Sequence, residues 1–430
     1  MAKVCVIGMW HLGCVIAACL SKKHKVTGCD FDSKTIEGLK NNKPPIFEPG
    51  MAEGLEEGAR SGMLSYSTDV AASVKDADAA IVAFDTPVDE NDQISLAPIH
   101  KAMSAMMPSL HSGQLLMVCS QVPVGTTREL LKTAQGAGKF VFACYSPENL
   151  RLGSAIETFL NPERIVIGLS EEGARKTADE IFEGVGGKRL YMDLESAEMA
   201  KHAMNAYLAT MISFSGEISD LCERTGADAS EVMGALKSEK RVSPSAPLSP
   251  GLGFGGGTLA RDLKVLSEIG QKTGVPTRVV DAAYQSNRDR LHYVKNRLEK
   301  ILGTLKGKKI AFFGLTYKPG TDTLRRSLAL EVISEVSAEG AEIRAYDPAI
   351  KGKVEGRPEI SLCASAEEAA QGSDAIVITT AWKEICEADY NLICRAMRRP
   401  VLFDARNCVD NRRLEKFIEH YGVGYGHGGK

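Results

Sequence analysis

Short apolar runs that end in glycine or an acidic residue alternate with helical apolar stripes over the first 150 positions, the pattern of strands feeding helices. Lys3-Val-Cys-Val-Ile-Gly8 predicts a strand and a glycine turn, and Leu12, Val15, Ile16, Cys19 and Leu20 then mark one face of a helix. A second strand, Lys25 to Asp30, closes on a carboxylate about 20 positions after the turn. Runs at Ala79 to Ala83, Leu115 to Cys119 and Phe140 to Cys144 predict further strands, joined by right-handed crossovers into a parallel sheet. From Leu194 to about Asn296 the strand signal stops, and Ala197, Ala200, Met204, Tyr207, Leu208 and Met211 keep helical spacing. Strands resume at Lys308 to Gly314, Glu342 to Tyr346, Asp374 to Thr379 and Val401 to Phe403.

The expected fold class is α/β: two Rossmann-like doubly wound domains, 1–193 and 297–430, joined by a central helical domain, 194–296. A chain of 430 residues, 44% of them apolar, is large enough for several cores. Its formal charge of −3 gives no broad field for nucleic acid or anionic lipid, so an anionic ligand must be held by local basic groups. No apolar stretch reaches the ~18 residues of a spanning helix, and Met1 runs straight into a strand pattern, which predicts a cytoplasmic protein. Eleven cysteines without CxxC pairs point to a reduced compartment, with neither a disulfide framework nor a metal site.

Strand, glycine turn and helix open a dinucleotide fold, and Asp30 stands where an acid meets a ribose 2′-hydroxyl, a choice that favours NAD over NADP. The turn reads Gly8-Met9-Trp10-His11-Leu12-Gly13, with Trp10 where the second glycine of GxGxxG lets backbone approach the pyrophosphate.

Further landmarks follow in order: Glu48-Pro-Gly50, Thr86-Pro87, Ser120-Gln-Val-Pro-Val-Gly-Thr126, Ser146-Pro-Glu-Asn-Leu-Arg151 and Pro162-Glu-Arg-Ile-Val-Ile-Gly168. Later come Lys201 with Asn205, the glycine segment Pro250 to Asp262, Gly314-Leu-Thr-Tyr-Lys-Pro-Gly-Thr-Asp322 with Arg325, and Asp404-Ala-Arg-Asn407. With these motifs the chain resembles the UDP-glucose/GDP-mannose dehydrogenase family over nearly its whole length. The resemblance implies oxidation of the primary alcohol of a nucleotide-linked sugar to a carboxylate by two NAD, through an aldehyde. It implies cofactor contacts at Gly8, Trp10, Leu12, Gly13, Asp30, Thr86, Gln121 and Arg325, with Arg326 the alternative to Arg325. It implies substrate contacts at Leu150, Arg241, Phe254, Gly255, Lys318 and Arg406, and catalytic positions at Glu148, Lys201, Asn205, Thr258 and Asp262.

The residue types fit such chemistry. Lys201 and Asn205 lie four apart, so on a helix they share a face, and an ammonium with an amide donor would stabilise an alkoxide or tetrahedral oxyanion. Glu148 lies just beyond a strand end, placed to orient water, although a solvated glutamate would look the same. Asp262 can take a proton or orient water, and it also stands where the pattern at Leu263, Leu266 and Ile269 asks for a helix N-cap. Five glycines among residues 251–257 let backbone amides approach a sugar or phosphate. Lys318 and Arg406 follow strand ends, where a diphosphate would dock. The family arginine matched by Arg241 reaches the sugar from a neighbouring subunit, so a homodimer is expected.

Three positions in the glycine segment depart from the family: Thr258 stands for the nucleophilic cysteine, Ala260 for a common proline and Arg261 for a common lysine. Gln121 stands for a usual threonine. A cysteine supplies thiolate near neutrality, whereas a threonine hydroxyl needs a strong neighbouring base. Three readings follow. One is a dehydrogenase carrying the C6 hydroxyl of a UDP-sugar to the uronic acid for polysaccharide or glycan precursors. Another is a two-electron enzyme stopping at an aldehyde or ketone. The third is a non-catalytic NAD or nucleotide-sugar binding protein.

Overall fold

The computed structural model describes residues 1–86, 94–147 and 150–425. The chain divides into two compact units, Met1–Ala203 and Met204–Lys430, and the division falls within the 32-residue helix Leu194–Thr225.

The first unit is built on eight strands: β1 Lys3–Ile7, β2 Lys25–Cys29, β3 Leu64–Ser67, β4 Ala79–Val82, β5 Leu115–Val118, β6 Phe142–Tyr145, β7 Arg164–Leu169 and β8 Lys188–Asp193. They lie in the order 3-2-1-4-5-6-7-8. β4 and β5 are buried at every position, as strands covered by helices on both faces must be. The sheet departs from the all-parallel expectation at one place, because β7 runs antiparallel to β6. Among the described residues the link from β6 to β7 holds one helix, the one-and-a-half-turn Ala155–Leu160, and the chain runs back beside β6. Every residue of the helix His11–Leu20 is buried, which accounts for its apolar stripe running all the way round.

The second unit joins a helical part to a smaller sheet. Helices Ala229–Ser238, Thr258–Thr273, Arg278–Asp289 and His292–Leu302 follow the long helix. Six strands, β9 Lys309–Phe313, β10 Glu342–Tyr346, β11 Ile360–Leu362, β12 Ala375–Ile378, β13 Val401–Asp404 and β14 Glu419–Gly422, lie in the order 11-10-9-12-13-14, all parallel. Short strands such as β3, β11 and β14 carry few apolar residues, so their sequences gave no periodicity to read.

Each sheet reverses its strand order beside its first strand, between β1 and β4 and between β9 and β12, and ligands of such sheets bind outside the strand ends at these points. Of the eleven cysteines, nine are buried, and Cys386 and Cys408 keep partial exposure. Among the described residues no helix is long and apolar enough to cross a membrane.

Candidate functional site

The first reversal point carries the glycine turn. Gly8 has φ +101, and a Cβ there would come 2.9 Å from the Phe84 ring; a Cβ on Gly13 would sit 1.8 Å from the Gly8 carbonyl oxygen. Both positions therefore exclude any side chain, and the helix start is held tightly against the strand. Asp30, after β2, takes the Met9 amide on Oδ2 at 2.7 Å and the Asp32 amide on Oδ1 at 3.0 Å. A turn of this shape with an acid beside it fits a dinucleotide. Trp10 holds ordinary negative φ and is 48% exposed, so the indole stands outside the turn, and Leu12 is buried.

The loops after β4 and β5 meet beside this turn. Thr86 is buried and donates its hydroxyl to the Gln121 carbonyl oxygen at 2.9 Å, while Gln121 itself is half-buried. The same loop is tied to the long helix. Glu198, fully buried, accepts the Gly125 and Thr127 amides, and the His202 ring nitrogen Nε2 lies 2.8 Å from the Val122 carbonyl oxygen. Glu198 thus caps the helix Thr126–Gly136 from another element, with burial raising its pKa against the lowering effect of those donors. Lys201, half-buried, lies on the same helix between these two anchors. Glu198→Ala is expected to destabilise the chain by about 1–3 kcal/mol, seen as a thermal midpoint lower by about 3–8 °C. A shift below about 1 °C would show that the cap contributes nothing.

Glu48, a motif residue with no assigned role from sequence, is buried among donors: the Gly153 amide at 3.0 Å, the Ala155 amide at 2.8 Å and His11 Nε2 at 3.0 Å. It pins the segment that follows Leu150, which is itself half-buried against the first core. Glu148 lies outside the described residues.

In the second unit the glycine segment is clamped by Asn287. Its Oδ1 accepts the Phe254 amide at 2.8 Å and its Nδ2 donates to the Phe254 carbonyl oxygen at 3.0 Å; a Cβ on Gly253 (φ +90) would come 2.4 Å from Oδ1. Phe254 is buried against Ala206, Ala209, Leu263 and Ala283. Arg290, stacked over the Tyr293 ring at 3.9 Å, donates Nε to the Gly251 carbonyl oxygen at 3.0 Å and pairs with Asp220. A Cβ on Gly255 would meet the Arg326 carbonyl oxygen at 3.2 Å, and that oxygen accepts the Gly256 amide at 2.9 Å. Arg326 takes φ +55 and is half-buried, whereas Arg325 is exposed. Nothing in the spacing of Asn287, Arg290 and Arg326 signals these roles, since their partners lie more than 30 residues away in sequence.

The helix following the glycine segment begins at Thr258, with Gly257 as N-cap. Asp262 therefore lies inside the helix, not at its cap as the apolar pattern from Leu263 suggested, because Thr258 to Arg261 add a first turn of mixed polarity. Asp262 is fully buried and accepts the side-chain amide of Asn205, which is also buried. Thr258, exposed, is one turn earlier on the same helix face.

At the second reversal point, Asp347 after β10 repeats the Asp30 pattern, accepting the Leu315 amide at 2.6 Å and the Thr316 amide at 2.9 Å. The turn here is filled: a Cβ on Gly314 would come 2.5 Å from Thr380 Cβ, and Trp382 Nε1 donates to Thr316 Oγ1 at 2.9 Å. Lys318 is half-buried near the Tyr317 ring. Arg406 keeps some surface overall, but its Nε donates to the Thr379 carbonyl oxygen at 2.7 Å, and burial lowers the guanidinium's pKa. Arg241 is exposed and, among the described residues, pairs locally with Glu239 at 3.1 Å.

Three domain models of the UDP-glucose/GDP-mannose dehydrogenase family match the chain: the NAD binding domain over residues 2–185, the central domain over 195–289 and the UDP binding domain over 311–411. The chain belongs to this family. The UDP-glucose 6-dehydrogenase TuaD of Bacillus subtilis (strain 168) is 32% identical over 426 residues, spanning 96% of this chain and 91% of that protein. A UDP-glucose dehydrogenase structure from the hyperthermophilic archaeon Pyrobaculum islandicum superposes with a TM-score of 0.90 at 30% identity, covering 99% of this chain and 98% of its own. A UDP-D-ManNAc dehydrogenase structure from Pyrococcus horikoshii gives 0.88 at 24% identity, covering 99% of each chain, a likeness of fold alone. This member of the UDP-glucose/GDP-mannose dehydrogenase family is thus an NAD-dependent oxidoreductase acting on CH–OH groups of a nucleotide sugar.

Proposed function

We infer that the protein oxidises the C6 hydroxyl of a UDP-sugar to the uronic acid in two NAD-dependent steps, supplying precursors for polysaccharide or glycan synthesis. The observation that carries this reading is the buried Asp262–Asn205 pair, with Lys201 one turn before Asn205 on the same helix. A carboxylate kept fully buried beside a side-chain amide serves packing poorly and water or proton handling well. NAD, when bound, accepts the hydride. Lys201 and Asn205 stabilise the developing oxyanion, and Asp262 and Glu148 orient water. The aldehyde of the first step adds water to give a gem-diol, whose carbon-bound hydrogen leaves as hydride to a second NAD while a hydroxyl proton is lost. This route needs no covalent nucleophile, which Thr258 cannot readily supply.

Within the same reading, Gly8, Leu12, Gly13, Asp30, Thr86, Gln121 and Arg325 serve the cofactor, with Trp10 at its edge. Leu150, Phe254, Gly255, Lys318 and Arg406 serve the nucleotide sugar. The division into residues 1–193, 194–296 and 297–430 separates NAD-binding, dimer-forming and nucleotide-binding parts. The exposure of Arg241, and of Met199, Met204, Tyr207, Phe214 and Leu221 on the long helix, supports a homodimer in which Arg241 reaches its partner's substrate. The cytoplasm is the compartment that suits a chain with eleven cysteines and no CxxC pair.

Thr258 at an exposed helix start favours a second reading, a two-electron enzyme that releases aldehyde or ketone. Product mass and NADH yield at limiting UDP-glucose, UDP-N-acetylhexosamines and GDP-mannose decide. Two NADH per sugar with a gain of one oxygen and a loss of two hydrogens supports acid formation, and one NADH with loss of two hydrogens alone supports the second reading. Thr258→Cys is expected to speed the aldehyde step at least about tenfold, a barrier lower by about 1.4 kcal/mol, since a thiol at a helix start ionises readily. An unchanged aldehyde rate would show that residue 258 lies apart from the reacting carbon.

A further inference from the structure

The cofactor turn holds a second carboxylate that no dinucleotide needs. Asp85, three residues past β4, directs Oδ2 at the Leu12 amide at 3.4 Å. Leu12 is the second residue of the helix His11–Leu20, so its amide is one of the donors that a helix start leaves without an intrahelical acceptor. In a glycine-turn fold these donors and the positive end of the helix receive the dinucleotide's diphosphate.

Three further observations place the Asp85 charge at that spot. The helix has no acidic residue in its first turn and no side-chain cap of its own, so no other carboxylate of the helix competes for the Leu12 amide. The segment carrying Asp85 lies against the turn, since Phe84 is the residue a Gly8 Cβ would strike. In the first turn of the helix, burial first and then the charges of Asp30 and Asp85 hold the Cys14 thiol well above its usual pKa. Asp30 is accounted for as the ribose acid; Asp85 is not.

We propose that Asp85 is a cofactor-affinity determinant, a built-in anion that occupies the diphosphate seat at the first helix and must be moved aside when the dinucleotide binds. The inference rests on NAD as the cofactor. A carboxylate close to a diphosphate repels it, and relieving that repulsion strengthens binding by about tenfold at an effective dielectric typical of protein surfaces.

The test measures dissociation constants of the full chain by calorimetry for NAD, ADP-ribose and adenosine, with Asp85→Asn and Asp85→Gly beside the unaltered protein. Both variants are expected to bind NAD and ADP-ribose about tenfold more tightly and adenosine, which lacks phosphate, within about twofold of the original. Quenching of Trp10 fluorescence in a Trp382→Phe background offers a second readout of the same constants. Equal or weaker NAD binding by folded variants overturns the inference and leaves the cofactor reading standing. Tightening that extends equally to adenosine also overturns it, because the effect would then not be one of charge on the diphosphate. If neither the original nor the variants bind NAD, the inference falls together with the cofactor reading.

Discussion

Lys201→Ala is expected to lower kcat/KM for the nucleotide sugar by about 100- to 1000-fold, the usual cost of losing one oxyanion donor. The argument rests on placement. Glu198 and His202 fix the long helix to the loop of residues 122–127, so Lys201 between them has a set direction and is half-buried rather than waving in solvent. Both anchors survive the substitution, so the alanine variant is expected to fold with NAD affinity nearly unchanged, and its thermal midpoint, measured beside the rate, separates a lost contact of the ammonium from lost chemistry. Lys201→Arg should recover little, because a planar fork does not replace a point charge at the same depth. A loss below about threefold in the alanine variant would remove Lys201 from the chemistry.

Asp262→Asn is expected to reduce kcat by about 100- to 10,000-fold, the range for a positioned acid or base. Asparagine keeps the shape and can still accept the Asn205 amide through its oxygen, so the helix Thr258–Thr273 should hold. Asp262→Ala provides the contrast, since it strands the buried Asn205 donor at a further cost of about 1–3 kcal/mol in stability. If the two variants lose activity only in proportion to lost folded protein, Asp262 is structural. If the asparagine variant folds normally and retains most of its turnover, the water-handling role assigned to the carboxylate is wrong.

Much of this was readable before any coordinates. The apolar run of β1, the glycine at its end and Asp30 after β2 report a local geometry, because each residue type is dictated by the backbone next to it. What stayed hidden depends on partners distant in sequence. Asn287 clamps Phe254, Glu48 gathers the Gly153 and Ala155 amides, and Asp85 meets Leu12, and none of these pairs shares a periodic pattern. The antiparallel return of β7 escaped for a similar reason: strand direction is set by the length and path of the connection, and Arg164 to Leu169 reads the same in either direction. The start of the helix at Thr258 was misplaced because the apolar stripe begins a turn later than the hydrogen bonding.

Nine of the eleven cysteines are sealed inside the two units, and the position where the family resemblance places a nucleophilic thiol holds Thr258, which is exposed. The chain thus offers alkylating agents and peroxides few exposed thiols to attack, and none at position 258. With residue 258 as the reacting position, turnover is expected to persist through the oxidative swings that disable thiol-dependent catalysts, and electrophilic inhibitors designed around such a thiol are expected to pass it by.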